Sequence, residues 1–189
     1  FHVVSHMIND FCVVDLSSFY FDIIKDRLYC GEASGLERRS AQTAVWLILD
    51  AMTRMFAPIL AFTCDEVWLA MPHRSADDAR NVLFNEMVQP YTQYALSPEE
   101  MARWDRIAAV RTAVNGALEQ ARADKTIGKS LEAEVDLTVP AEDAFLSQME
   151  EGALADLLIV SKVEVTVSGS GTEEFTLLVN GSAYSPKTV

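Results

Sequence analysis

The sequence has few cysteines, and they do not form a recognisable pattern. Cys12, Cys30 and Cys64 are odd in number and widely spaced, with no Cys-x-x-Cys pair. A disulfide framework and a zinc site are therefore not expected, and each cysteine is interpreted as a small hydrophobic residue buried in a reducing compartment. No apolar run approaches the roughly 20 residues that span a bilayer, so no membrane partner is predicted.

Basic residues are scarce in the last third of the chain. The whole chain has 28 Asp and Glu against 15 Lys and Arg, a formal net charge of -13. Residues 130–189 hold eleven acidic residues and only two bases, Lys162 and Lys187. An excess of acid disfavours non-specific binding to nucleic acid. Any RNA contact is therefore expected from the first two thirds of the chain.

Catalytic signatures are also missing. His2 and His6 share a helix face but lack a third ligand and the Glu of a His-Glu-x-x-His motif. Asp65–Glu66 and Asp77–Asp78 are adjacent acids that point in different directions, so they are interpreted as solvated faces or caps. Gly128–Ser130 lacks the first glycine of a P-loop and leads into a predicted strand. No catalytic residue and no metal site are predicted.

Helical periodicity dominates residues 1–128. The pattern predicts a helix capped at Asp15–Ser18, a long helix from about Leu36, a break at Pro58 and a short helix that stops at Pro72. The apolar stripe of the long helix consists of Ala41, Ala44, Val45, Ile48, Leu49, Met52, Met55 and Phe56. After a connector over 72–98, Ser97 and the following proline predict a further helix that ends near residue 124.

The period then changes to two, which predicts strands. Strands are predicted over 131–139, 163–167 and 175–179, with a short edge strand near Ala183. A helix over 142–151 and a further turn over 153–158 separate the first two strands. Turns are predicted over 169–171 and at Asn180-Gly181. The tail from Ser185 is expected to fray. At the other end, helical spacing begins at Phe1 without a cap, so we expect a piece of a larger intracellular, cytoplasmic protein.

A basic edge follows the last predicted helix. Arg111 and Arg122 are eleven residues apart, or three helical turns, so they lie at nearly the same azimuth. Lys125 and Lys129 extend this line past the helix end, and Trp104 lies on the same side at the other end. Such an edge suits an RNA backbone and an unpaired base. On spacing alone, salt bridges with acidic neighbours on the helix are the simpler explanation.

Four ordered segments resemble bacterial-type isoleucyl-tRNA synthetase, a family of class I aminoacyl-tRNA synthetases. They are Phe19–Tyr29, Arg38–Thr43, Phe56–Trp68 and, between Trp104 and Ala133, the stretch that includes Glu119–Lys125 and Ile127–Ala133. The Lys-Asp-Arg-Leu-Tyr run in the first segment points to the isoleucine enzyme among relatives with the same helical plan. Residues 1–135 are covered well, and residues 136–189 in outline only.

The resemblance implies a mainly α fold. A helical bundle of the class Ia anticodon-binding type is expected over 1–128, followed by a small acidic α/β (β-α-β-β) module over 129–189. The parent enzyme is expected to ligate isoleucine to its tRNA with ATP-Mg and to carry a zinc module, which would lie beyond Val189 or be missing. His-Ile-Gly-His and Lys-Met-Ser-Lys-Ser signatures are absent. This chain alone is therefore expected to be inactive and to hold no cofactor.

The resemblance also turns the basic edge into a candidate tRNA site. The residues it assigns to tRNA binding are Arg111, Arg122, Lys125, Lys129, Trp104, Lys25 and Arg27. The first four are expected to meet phosphates of the anticodon stem-loop of tRNA(Ile); Trp104 packs or stacks, and the last two add contacts from the second helix. A monomer joined to an upstream catalytic domain is expected. The alternative is a non-catalytic protein-interaction or structural module with little RNA contact.

Overall fold

The computed structural model describes residues 2–150, 152–168 and 176–184, and it divides the chain into two compact units. These are Phe1–Ala95, called the first unit, and Leu96–Val189, called the second unit. The regular elements described in the first unit are all helical, and the second unit combines helices with a four-stranded sheet. The predicted fold class is thereby confirmed. The units divide at 95/96 and not at the predicted domain boundary of 128/129, because the helix between these positions packs on the sheet.

The helices of the first unit are α1 His2–Asp10, a π-helical segment Phe11–Tyr20, α2 Phe21–Ile23, α3 Lys25–Tyr29, α4 Leu36–Phe56 and α5 Ala61–Ala70. The start and break predicted around α4 are confirmed, since it begins at Leu36 and ends before Pro58. The cap predicted at Asp15–Ser18 is wrong, because the chain is already helical there. Ser18 Oγ instead donates to the Val13 carbonyl within the helix (2.8 Å).

The core of the first unit forms around Trp68. This indole is fully buried, and the buried residues packed with it are Ala57, Cys64, Met71 and Val82. Most of the apolar stripe predicted on α4 is only half-buried or exposed, and several of its residues line an open groove of about 660 Å³. The buried positions of α4 include Asp50, Thr53 and Arg54 instead.

The three cysteines lie in different surroundings. Cys64 is buried, as predicted, and burial raises the pKa of its thiol. Cys30 is exposed just after α3, so the prediction of a buried cysteine is wrong there, and Cys12 is half-buried.

Four charged side chains, here called the four-charge cluster, join α4 to the connector after α5. Arg54 donates from Nε to Asp50 Oδ1 (2.8 Å) and from Nη2 to Asp77 Oδ1 (2.7 Å), and Arg74 Nη2 donates to Asp50 Oδ2 (2.7 Å). Burial alone would raise the pKa of Asp77, but hydrogen bonds and charge from Arg54 and Arg74 hold it below its ordinary value. Asp77 is therefore not part of a solvated face, but its Oδ2 does act as a cap, since it accepts from the Arg74 backbone N–H (3.0 Å). The connector otherwise contains two single 3₁₀ turns, Val82–Phe84 and Thr92–Tyr94.

The long helix of the second unit, α6 Pro98–Ala123, begins as its sequence predicts. Ser97 Oγ accepts from the Glu100 backbone N–H (3.2 Å), and Glu100 Oε2 accepts from the Ser97 backbone N–H (2.8 Å). This reciprocal cap satisfies two amides at the helix start and lowers the pKa of Glu100. The buried positions of α6 are Ile107, Val110, Arg111, Val114, Ala117, Leu118 and Ala121.

The sheet has the order β2-β1-β3-β4, with β1 Glu134–Val139, β2 Lys162–Val167, β3 Thr176–Val179 and β4 Ser182–Tyr184. β1 and β2 are parallel, and the other two pairs are antiparallel. In β1, Val135, Leu137 and Val139 are buried in alternation with more exposed polar residues, as predicted. α6 lies against β3 and β4, which places the core of this unit between helix and sheet.

The connections between the strands follow the prediction with small shifts. β1 begins at Glu134 rather than at Leu131, because Ser130–Glu132 form a 3₁₀ turn. The helix predicted after β1 is a 3₁₀ helix, Ala141–Gln148, and the further turn is α7 Ala153–Leu158. The Asn180-Gly181 turn is confirmed, with φ of 49° and 77°. The predicted turn over 169–171, Phe175 and the tail from Ser185 lie outside the described residues.

Candidate RNA-binding turn

Arg111 does not belong to an exposed basic edge. Only 7% of this residue is exposed, and its Nη1 donates to the carbonyl of Leu157 in the last turn of α7. The last carbonyls of a helix have no donor within the helix. Arg111 donates to one of these carbonyls, that of Leu157. The expected phosphate contact at Arg111 is therefore corrected to a structural contact between α6 and α7.

Three bases of the predicted edge do lie close together, at the end of α6. We call residues 122–132 the basic turn; it carries Arg122, Lys125 and Lys129. Lys125 and Lys129 are exposed, and the side chain of Arg122 is 34% exposed. Arg122 donates to Glu119 and to Ser130 Oγ. The salt bridge that spacing predicted is thus present, and about a third of the side chain stays open to solvent.

Lys125, just after the end of α6, has a backbone conformation that residues with a side chain rarely adopt. Its φ is 58°, in the left-handed region where glycine is usual. The backbone there is well bonded, since Lys125 N–H donates to the Arg122 carbonyl (3.0 Å) and Thr126 N–H donates to the Ala121 carbonyl (2.9 Å). A lysine at this position costs more conformational energy than a glycine would.

The backbone of the basic turn is bound by an acidic side chain that the sequence analysis did not single out. Glu132 Oε2 accepts from the backbone N–H groups of Gly128 (2.8 Å) and Lys129 (3.2 Å). These two bonds, together with the charge of Lys129, lower the pKa of Glu132. A Cβ at position 128 would approach the same oxygen to 3.1 Å. A glycine four residues before a glutamate was the available sequence signal.

Trp104 lies far from the basic turn, although both belong to the second unit. Trp104 and Arg122 are separated by about 27 Å along α6, at 1.5 Å per residue. The indole is 42% exposed, so it is neither packed in the core nor free of contacts. A base stacked on Trp104 and a phosphate bound at the turn would therefore belong to different parts of an RNA.

Lys25 and Arg27 lie in α3 of the first unit. Lys25 is exposed and pairs with Asp22 at 2.6 Å, and Arg27 is half-buried. Arg27 also lies near Tyr20, whose pKa is raised by burial and lowered by the charge of Arg27, with burial the larger effect. Lys25 and Arg27 are not part of the basic turn, since they belong to the first unit. Their assignment to RNA binding stays a prediction.

The described residues contain no group of three or more His, Cys, Asp or Glu that could hold a metal ion. His2 and His6 face each other with Nε2 atoms 3.2 Å apart, as their spacing predicts. His73 packs against the Trp68 ring at 4.5 Å.

Within the described residues, no helix has the length and apolar character that crossing a membrane requires.

A basic turn whose backbone is held by hydrogen bonds, at the end of a long helix, is suited to binding an anion such as a phosphate. A family model described as "Anticodon-binding domain of tRNA ligase" matches residues 1–137, which include the basic turn. The chain belongs to this family of anticodon-binding domains.

Individual relatives agree with the family match. The chain is 44% identical over 173 residues to the isoleucine–tRNA ligase of Geobacter sulfurreducens, covering 90% of this chain and 18% of the relative. It is 39% identical over 184 residues to that of Symbiobacterium thermophilum, covering 96% and 19%. It is 43% identical over 170 residues to that of Haemophilus influenzae, covering 87% and 18%. The chain thus spans about a fifth of the length of these curated relatives.

Proposed function

We propose that this chain is the tRNA-binding region of an isoleucine–tRNA ligase and that the basic turn contacts phosphates of the anticodon stem-loop. The observation that carries the proposal is the exposure of Lys125 and Lys129, beside the partly exposed Arg122, on one backbone-anchored turn inside the family-matched region. Arginine and lysine are the side chains that most often bind RNA phosphates. The acidic strands of the second unit are unsuited to that contact.

The rest of the proposal concerns the parent enzyme. Its partners are tRNA(Ile) and a catalytic domain in the same polypeptide, and it acts as a monomer in the cytoplasm. The chemistry of isoleucine ligation with ATP-Mg, and any zinc module, belong to other parts of that enzyme. The chain by itself is expected to give no aminoacyl-tRNA in an aminoacylation assay.

Binding to tRNA separates this proposal from its alternative. We expect saturable binding of tRNA(Ile) to the 189-residue chain that weakens steeply between 50 and 200 mM salt (about tenfold or more for three phosphate contacts). A protein-interaction or structural module instead predicts no tRNA binding even at the lower salt concentration. Fluorescence anisotropy of labelled tRNA at both concentrations measures the difference.

Charge reversal at Arg122 tests the turn directly. Arg122→Glu is expected to weaken tRNA binding about tenfold at 0.1 M salt and to reduce the slope of log K against log salt by about one. Lys162→Glu is the matched control, because Lys162 is also an exposed, ion-paired base but lies on β2. Equal slopes for Arg122→Glu and the unmodified chain would remove the turn from the proposed interface.

Lys125→Gly separates binding from stability. Glycine relieves the left-handed conformation, so the free energy of unfolding is expected to stay constant or to rise by up to about 1 kcal/mol. Loss of one cation is expected to weaken tRNA binding about fivefold at 0.1 M salt. Urea unfolding and tRNA titration of the same preparation measure both effects. Unchanged affinity in a folded variant contradicts a phosphate contact at Lys125.

A further inference from the structure

Glu132 is an acidic residue at the end of the basic turn, which the proposed function assigns to a polyanion. Its carboxylate accepts from two consecutive backbone amides, those of Gly128 and Lys129, at 2.8 and 3.2 Å. Glu132 is exposed, so its side chain does not take part in the core. What it does contribute is a fixed path for the backbone between the end of α6 and the start of β1.

The other contacts of the basic turn hold its two ends and the Lys129 carbonyl, which accepts from the Glu132 backbone N–H (3.0 Å); the amides of Gly128 and Lys129 are bound by the Glu132 carboxylate. Thr126 is held by its backbone bond to Ala121 (2.9 Å) and by a bond between its Oγ1 and Tyr184 Oη (3.3 Å). Ile127 is buried, with 5% of its surface exposed. The hydrogen bond from Arg122 to Ser130 bridges the two arms of the turn. Gly128 and Lys129 lie between these anchors, where the contacts of the Glu132 carboxylate fall.

We infer that Glu132 is a positioning residue for RNA binding: by holding the amides of Gly128 and Lys129, it fixes the backbone from which Lys129 meets a phosphate. The inference rests on the proposed function, and it adds to the RNA-binding residues one that carries a negative charge, as the RNA does. A preordered backbone lowers the entropic cost of binding, because fewer conformations are lost when the complex forms. The carboxylate therefore aids binding through the backbone, in spite of its charge.

Positioning and electrostatics predict opposite signs for the loss of this side chain. A carboxylate beside bound phosphates repels them, so its removal alone would tighten RNA binding. If the positioning contact dominates, removal of the whole group weakens binding. Glutamine separates the two effects, since it loses the charge but keeps a side-chain oxygen that accepts hydrogen bonds.

The test compares tRNA affinities of Glu132→Ala, Glu132→Gln and the control Glu119→Ala at one salt concentration. Glu119 is 70% exposed, pairs with Arg122 and bonds to no amide of the turn in the contacts described above. We expect Glu132→Ala to bind roughly threefold to tenfold more weakly. Glu132→Gln should bind as tightly as the unmodified chain or more tightly, as should Glu119→Ala. Tighter or equal binding by Glu132→Ala overturns the inference.

Amide hydrogen exchange keeps this test separate from that of the proposed function. In Glu132→Ala the amides of Gly128 and Lys129 are expected to exchange faster, by roughly tenfold, while those of β1 keep their rates. Unchanged exchange at both amides overturns the positioning role, whatever the RNA affinity. Absence of tRNA binding by the unmodified chain, with the exchange result as expected, overturns the proposed function and with it the RNA-related part of the inference.

Discussion

Asp50→Ala is expected to lower the free energy of unfolding of the first unit by about 3–5 kcal/mol, the usual effect of removing one partner from a buried ion pair. Asp50 is completely buried and accepts from both guanidinium groups of the four-charge cluster. Without it, Arg54 stays buried with Asp77 as its remaining carboxylate in the cluster. The side chain of Arg74, which is 45% exposed, would lose its only carboxylate partner in the cluster.

Tryptophan fluorescence during urea unfolding measures this loss. Arg54 lies over the Trp68 ring (4.7 Å) and Arg74 over the Trp46 ring (4.8 Å), so both indoles report on the cluster. Trp104→Phe in the background leaves only these two tryptophans, since the chain has three. Arg80→Gln is the control, because Arg80 forms an exposed pair with Asp78. Equal midpoints for Asp50→Ala and the control contradict the buried cluster.

Arg111→Met is expected to lower the free energy of unfolding of the second unit by about 2–3 kcal/mol. Methionine keeps much of the apolar stem but cannot donate to the Leu157 carbonyl, and an unsatisfied buried acceptor costs about 1–3 kcal/mol. The affinity for tRNA is expected to stay unchanged at a temperature where the variant is folded. This pattern is the reverse of the one expected for Lys125→Gly.

Hydrogen exchange of β1, over Glu134–Val139, measures the stability of the second unit without interference from the first. Arg103→Met is the matched control, because Arg103 is exposed on the same helix and lies over the Phe145 ring at 5.9 Å. Its exchange rates are expected to equal those of the unmodified chain. Weaker tRNA binding by Arg111→Met with unchanged exchange would return Arg111 to the RNA-binding residues.

Features set by neighbouring residues were predictable from the sequence. The cap at Ser97, the alternation in β1 and the Asn180-Gly181 turn depend on local hydrogen bonds and on backbone preferences, and all three are confirmed. The helix start at Asp15–Ser18 failed for a local reason as well. Serine and aspartate signal a cap only where a helix begins, and this helix begins earlier, as its first described residue, His2, shows.

Features set by distant residues were not predictable in the same way. Helical periodicity placed Arg111 at the azimuth of Arg122 on a basic edge, but its burial depends on α7, 46 residues away in sequence. The same holds for Asp50 and Arg54, which lie outside the apolar stripe predicted on α4 and which residues of the connector nevertheless contact. The spacing of hydrophobic residues shows which face of a helix or strand is apolar. It does not show which polar residue a later segment of the chain will cover.

The four-charge cluster also determines where the polypeptide can be divided. Arg74 and Asp77 supply half of its charges, and the Glu86 carbonyl accepts a further bond from Arg54 (3.2 Å). A truncation directly after α5 would leave Asp50 and Arg54 paired only with each other, without Arg74 and Asp77 from the connector. A piece of the first unit that keeps all of these contacts therefore extends at least to Glu86, and a fragment cut before Arg74 is predisposed to aggregate.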